Sequence, residues 1–176
     1  MGSGGLNGSR WGLKGTEDLG GGLKALFLIE TGFNADTGTG RVTNGLGDRQ
    51  TYVGLQSGMG TLVFGNAYSV MDDVAGAANS GFDSALSASQ HGLALNHGNG
   101  PVGGYVARPQ SVLKYTSPSF GGLTGAVSYS LDETTAAKKN QTDFRLSYGA
   151  GPIAANFAYE VQGDKAGTDD LKLTLL

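Results

Sequence analysis

The sequence predicts an all-β chain, an antiparallel up-and-down barrel whose outer surface meets lipid. Two observations carry most of this reading. Apolar residues fall at every second position in one short segment after another, and the connections between those segments alternate between short and long. Leu123, Gly125, Val127, Tyr129 and Leu131 stand against Thr124, Ala126, Ser128 and Ser130, and Phe144, Leu146 and Tyr148 against Asp143, Arg145 and Ser147. Successive strand side chains point to opposite faces, so each such segment has one greasy and one polar side. Closed into a barrel, the greasy side can face lipid and the polar side water.

The pattern gives nine strands, over Ser9–Gly15, Leu23–Phe33, Arg49–Ser57, Thr61–Asn66, Ser111–Ser117, Leu123–Leu131, Asp143–Gly149, Ile153–Gln162 and Asp170–Leu176. Thr16–Gly22, Gly58–Gly60, Pro118–Gly122 and Ala150–Pro152 are short and rich in Gly or Pro, as tight turns are. Asn34–Asp48, Ala67–Gln110, Asp132–Thr142 and Gly163–Asp169 are longer. In a meander every other connection lies at the same rim, so one rim carries the short turns and the other the long loops. Membrane barrels have this asymmetry. Ala67–Gln110 is too long for a structureless connection inside a compact domain and reads as a folded functional loop or an insert. Nine meandering strands leave the first and last running in the same direction, so they cannot close edge to edge as an antiparallel pair. The chain is therefore expected to be a portion of a larger barrel, or to be completed by another chain.

Composition agrees. The 176 residues suit one domain, and 32 glycines with only 15% charged residues are unusual for a soluble globular chain. The longest apolar run, Ala25–Ile29, is far short of the roughly 20 residues of a membrane helix. A mean hydropathy of −0.15 leaves a membrane barrel open, because only alternate strand residues need to be apolar. A net charge of −3 and a pI near 5.2 give no electrostatic footprint for nucleic acid. With no cysteine there is neither a disulfide framework nor a thiolate metal site.

Catalytic and cofactor chemistry finds no motif. His91 and His97 share a Gly-rich loop without the spacing of metal ligands. No Gly-x-Ser-x-Gly elbow is present, and no phosphate-cradling glycine loop stands in a strand-to-helix context. No metal, no cofactor and no enzymatic activity is expected. The competing reading from another class is a soluble β-sandwich that binds carbohydrate or protein through its long loop.

Five segments carry a resemblance. Ser9-Arg10-Trp11-Gly12-Leu13-Lys14-Gly15-Thr16-Glu17-Asp18-Leu19-Gly20, followed by Gly22-Leu23-Lys24-Ala25, resembles the general-diffusion porins of Gram-negative bacteria, in particular their beta-proteobacterial branch. Glu30-Thr31-Gly32-Phe33-Asn34, Arg49-Gln50-Thr51-Tyr52-Val53-Gly54-Leu55, Gly60-Thr61-Leu62-Val63-Phe64-Gly65 and Lys114-Tyr115-Thr116-Ser117-Pro118-Ser119-Phe120-Gly121-Gly122-Leu123 follow in family order. The resemblance implies a 16-stranded barrel of the outer membrane, usually a homotrimer, that passes small hydrophilic solutes and ions through water. It implies that residues 1–176 are one barrel domain equivalent to strands two to ten, and that residues 67–110 fold inward as a constriction loop. Relatives often carry Arg where this chain has Asn66, so one positive wall residue is missing here.

Alternation then sorts the charges. Arg10, Lys14, Lys24, Lys114, Arg145 and Lys172 are expected on the lumen wall as its basic residues, with Glu30 and Glu160 as the acidic ones. The long loop carries Asp72, Asp73 and Asp83 against Arg108. A positive wall facing a negative loop makes a field across the channel, and the excess of basic wall residues suggests anion preference. Trp11, Tyr52, Tyr115, Tyr129, Tyr148, Phe157 and Tyr159 are candidates for the outward aromatic girdle, with Tyr52 the weakest because alternation opposes it to Thr51, Val53 and Leu55.

Overall fold

The structure is a computed structural model that describes residues 8–40, 45–77, 107–131, 140–163 and 170–175, with backbone alone for 75–77 and 170–175. Asp83, His91 and His97 lie outside the described residues. The strands are β1 (Arg10–Gly20), β2 (Leu23–Gly32), β3 (Gln50–Ser57), β4 (Gly60–Asn66), β5 (Val112–Thr116), β6 (Leu123–Ser130), β7 (Gln141–Ala150), β8 (Ile153–Gly163) and β9 (Asp170–Leu175). Among the described residues one helix, α1 (Val70–Ala77), lies between β4 and β5.

Every strand pairs antiparallel with its neighbours in sequence, in the order β1 to β9. The sheet is open, with β1 and β9 as its edges. The longest strands reach 10 or 11 residues, the length a tilted strand needs to cross a bilayer.

Burial is inverted relative to a water-soluble sheet. In β6, Val127 and Tyr129 are exposed, while Ser128 and Ser130 are buried to 1% and 2% exposure. In β7, Phe144 and Leu146 are exposed while Gln141 and Asp143 are buried. The same exposed apolar row includes Leu13, Phe27, Val53 and Phe64 across β1 to β4. These side chains are about half exposed, so leaving them in water forfeits on the order of 1 kcal/mol each, and over a continuous row this favours a medium other than water. A soluble β-sandwich would turn this row into a dry interior and does not fit. Phe144 and Phe157 meet on this face with centroids 6.4 Å apart and planes at 58°, a tilted arrangement suited to ring quadrupoles.

The opposite, polar face is the inner one, because α1 packs on it. Val70, Met71 and Val74 are fully buried, and Met71 and Val74 cluster with Ala158 of β8 and with Ala107. Spacings of three and four put these apolar residues on one side of the helix. Ser69 caps it, its Oγ accepting the Asp72 amide at 3.1 Å, and Asp72 and Asp73 fall in the first turn, where carboxylates favour the helix dipole.

Four expectations need correction. Thr16–Gly22 is not a turn: Thr16, Glu17 and Asp18 pair with Leu26, Ala25 and Lys24, and β1 runs to Gly20. Only Gly21 and Gly22 make the turn, with φ of 61° and 80°, values that glycine adopts without strain. Helix α1 was not expected in a segment of weak apolar periodicity. Tyr52 does not belong to the outward girdle: it stands opposite Leu28 and Gly65, on the inner row. Lys172 pairs with Val161, which places it in the register row of Tyr159 rather than that of Glu160.

The remaining aromatics keep the outward row, with Phe157 and Tyr159 at mid-strand in β8 and the others near its two rims. Tyr115 and Tyr148 lie toward the short turns, and Trp11 and Tyr129 toward the long loops.

Candidate functional site on the inner wall

The chain leaves β4 at Asn66, turns inward through Ala67, Tyr68 and Ser69, and enters α1. The Ser69 amide donates to the Ala107 carbonyl at 2.8 Å, so the two legs of the long connection meet at its base. This brings Arg108 beside Tyr68, with Arg108 Cζ 5.4 Å from the ring centroid. The Tyr68 hydroxyl accepts from Arg49 Nη2 at 3.1 Å and from Arg108 Nη1 at 3.4 Å. The Tyr68 carbonyl accepts from Lys114 Nζ at 3.2 Å.

Two carboxylates balance part of this charge. Glu30 Oε1 accepts from Arg49 Nε at 2.6 Å. Asp73 Oδ2 accepts from Lys114 Nζ at 2.6 Å and from Arg145 Nη1 at 3.4 Å. All five side chains keep between 11% and 27% of their exposure, so the pairs are shielded without being dry. Burial works against the Arg49 charge, but the Glu30 hydrogen bond and the nearby Tyr68, Glu30 and Asp48 outweigh it, and its pKa is raised. Tyr52, Tyr68, Asp73 and Lys114 share the lining of a cavity of about 240 Å³ open to the inner side.

Beneath the helix lies a second, buried polar layer. The Val70 amide donates to Ser128 Oγ at 3.4 Å, and Ser128 Oγ donates in turn to Asp143 Oδ2 at 2.5 Å. Gln141 Nε2 reaches both Asp143 Oδ1 at 3.1 Å and Glu160 Oε2 at 3.0 Å. Asp143 and Glu160 stand directly opposite each other on β7 and β8. This network fastens the first turn of α1 to the wall.

The structure therefore brings Lys114, Arg145, Glu30, Asp73 and Arg108 into one inner cluster. Arg10, Lys14 and Lys24 sit in the inner register row of β1 and β2 but are exposed and apart from it. Glu160 belongs to the layer under the helix. Asp72 lies in the first turn of α1, partly buried. Arg49, Tyr68, Gln141 and Asp143 were missed. Ser69-x-x-Asp72 before Val74 was a legible helix start. Tyr68 lies outside any strand, where alternation assigns no face, and Arg49 precedes β3, where alternation counted from Val53 points outward.

A sequence profile for the family described as Gram-negative porin matches residues 1–176. An outer membrane porin protein of Bordetella pertussis is 32% identical over 156 residues, covering 87% of this chain and 39% of that protein. The major outer membrane protein P.IB of Neisseria meningitidis serogroup A is 32% identical over 174 residues, covering 94% of this chain and 46% of that protein. Among solved structures, an anion-selective porin from Comamonas acidovorans superposes with a TM-score of 0.76 at 25% identity, over 92% of this chain and 49% of the other. The chain thus spans less than half the length of the curated relatives it matches.

Proposed function

The chain belongs to the Gram-negative porin family, and from that premise we propose that it forms part of the wall of a water-filled channel in the outer membrane, through which small hydrophilic solutes and ions diffuse passively. The inverted burial carries this reading: apolar side chains such as Val53 and Phe64 are exposed on one face while Gln141, Asp143 and Glu160 are buried on the other. Lipid on the first face and water or protein on the second satisfies both.

In this reading residues 67–110 are the constriction loop, and outer-membrane lipid and two further copies of the protein are its partners. Support for the inward loop comes from α1, whose apolar side rests on the inner face of β8. Passage requires no bond to be made or broken, so the wall needs charge and width rather than a nucleophile.

Anion preference is the selectivity this wall favours. Among the described residues of the cluster, Arg49 pairs with Glu30 and feels Asp48, Lys114 and Arg145 share Asp73, and Arg108 adds a fourth cation beside Tyr68. Fixed charge at a narrow, partly desolvated passage sets ion preference. The Comamonas relative is itself described as anion-selective. The test is the reversal potential of the protein in planar bilayers under a KCl gradient. Discrete conductance steps with chloride more permeant than potassium are expected. Absence of conductance would refute the channel, and a cation-selective potential would refute the assignment of the wall.

A further inference from the structure

We propose that Tyr68 is the positioning residue that holds Arg49 and Arg108 together as one cationic site beside the start of α1, and so sets the anion preference of the channel; this rests on the channel reading above. Two guanidiniums repel each other and, left alone, take different rotamers in the water of a lumen. Here a single phenol oxygen accepts from both, at 3.1 Å from Arg49 and 3.4 Å from Arg108. A phenol oxygen has the acceptor capacity for two such donors. Arg108 also lies over the face of the same ring at 5.4 Å, a favourable place for a cation.

Each arginine is tethered from a second side. Glu30 holds the Nε of Arg49 at 2.6 Å, and the backbone bond from Ser69 to Ala107 fixes the chain immediately before Arg108. The Tyr68 carbonyl adds Lys114 at 3.2 Å. Three cations, one from before β3 and two from the stretch that leads into β5, are thus organised around one residue that carries no charge itself. A side chain present only to fill space would need neither the hydroxyl nor its two donors.

The hydroxyl and the ring can be separated by substitution. Tyr68→Phe keeps the ring beneath Arg108 and removes the acceptor, while Tyr68→Leu removes both. The permeability ratio of chloride to potassium, read from reversal potentials, is expected to fall by at least about twofold in Tyr68→Phe, as loss of the two charge-assisted hydrogen bonds to the hydroxyl allows, and further in Tyr68→Leu. Arg108→Gln is expected to reproduce the fall. Tyr68→Phe combined with Arg108→Gln should then fall by less than the two single effects combined, since both disturb one coupled unit. Arg108→Gln leaves Tyr68 in place, so the inference stays testable if a Tyr68 variant does not assemble. An unchanged ratio in conducting Tyr68→Phe and Tyr68→Leu channels would overturn the inference and leave the channel reading standing. So would an unchanged ratio in Arg108→Gln. A native protein that passes no current would overturn both.

Discussion

Asp73 is a single carboxylate set between two cations. Its Oδ2 accepts from Lys114 at 2.6 Å and Arg145 at 3.4 Å, each side chain largely shielded from water. Replacing it with Asn removes the charge and leaves two cations facing each other. Asp73→Asn is expected to destabilise the protein by about 1–3 kcal/mol and to increase chloride preference. Urea unfolding and the reversal potential read the two effects, and a variant that gained potassium preference would show that Asp73 does not offset the wall. The members of this cluster were unequally legible. Lys114 and Arg145 follow from alternation, because each is flanked in its strand by exposed apolar residues. Arg49 precedes β3, and counting back from Val53 and Thr51 would assign it to the outward row; the strand has not begun there, and its amide instead pairs with the Glu30 carbonyl. Tyr68 was illegible because its role depends on a turn that joins residues 40 positions apart.

Helix α1 shows what one element requires to sit on this sheet. It is eight residues long, too short to persist alone in water, so its stability comes from Ser69 and from its seat on Ala158. Ser69→Ala is expected to cost about 1 kcal/mol and to speed hydrogen exchange at the Asp72 amide; unchanged exchange would show that the cap does not hold the first turn. Ala158, with no exposure, leaves room for Met71 and Val74. Ala158→Leu should overpack this contact at a cost of about 1–3 kcal/mol and alter single-channel conductance by displacing the helix. Conductance identical to that of the native protein would show that α1 does not border the current path. The strands were legible nearly in full, since a two-residue period survives wherever one face is lipid and the other is wet. The end of β1 was not. Glu17, Asp18 and the glycines after them look like a turn, yet Asp18 stands opposite Lys24 in a continuing ladder, and its Oδ1 accepts the Gly20 amide at 2.8 Å.

At the scale of the whole molecule, the sheet is an interface between two media. Its outward row would be a liability in water, where an exposed apolar strand face promotes aggregation. The protein is accordingly expected to require detergent for solubility; a chain that stayed in the supernatant after high-speed centrifugation without detergent would argue for a covered apolar face. The orientation can be read residue by residue, because the sequence has no cysteine and a single introduced one is labelled uniquely. Strand β2 serves best, as its inner row at Lys24, Leu26 and Leu28 lies away from α1. Nitroxides placed in turn at positions 24–29 of the membrane-reconstituted protein report collisions with oxygen, which concentrates in lipid, and with a water-soluble nickel chelate. Labels at Ala25, Phe27 and Ile29 should collide mainly with oxygen, and labels at Lys24, Leu26 and Leu28 mainly with the chelate. Equal collision rates at all six positions, or the opposite alternation, would contradict a wall with lipid outside and water within.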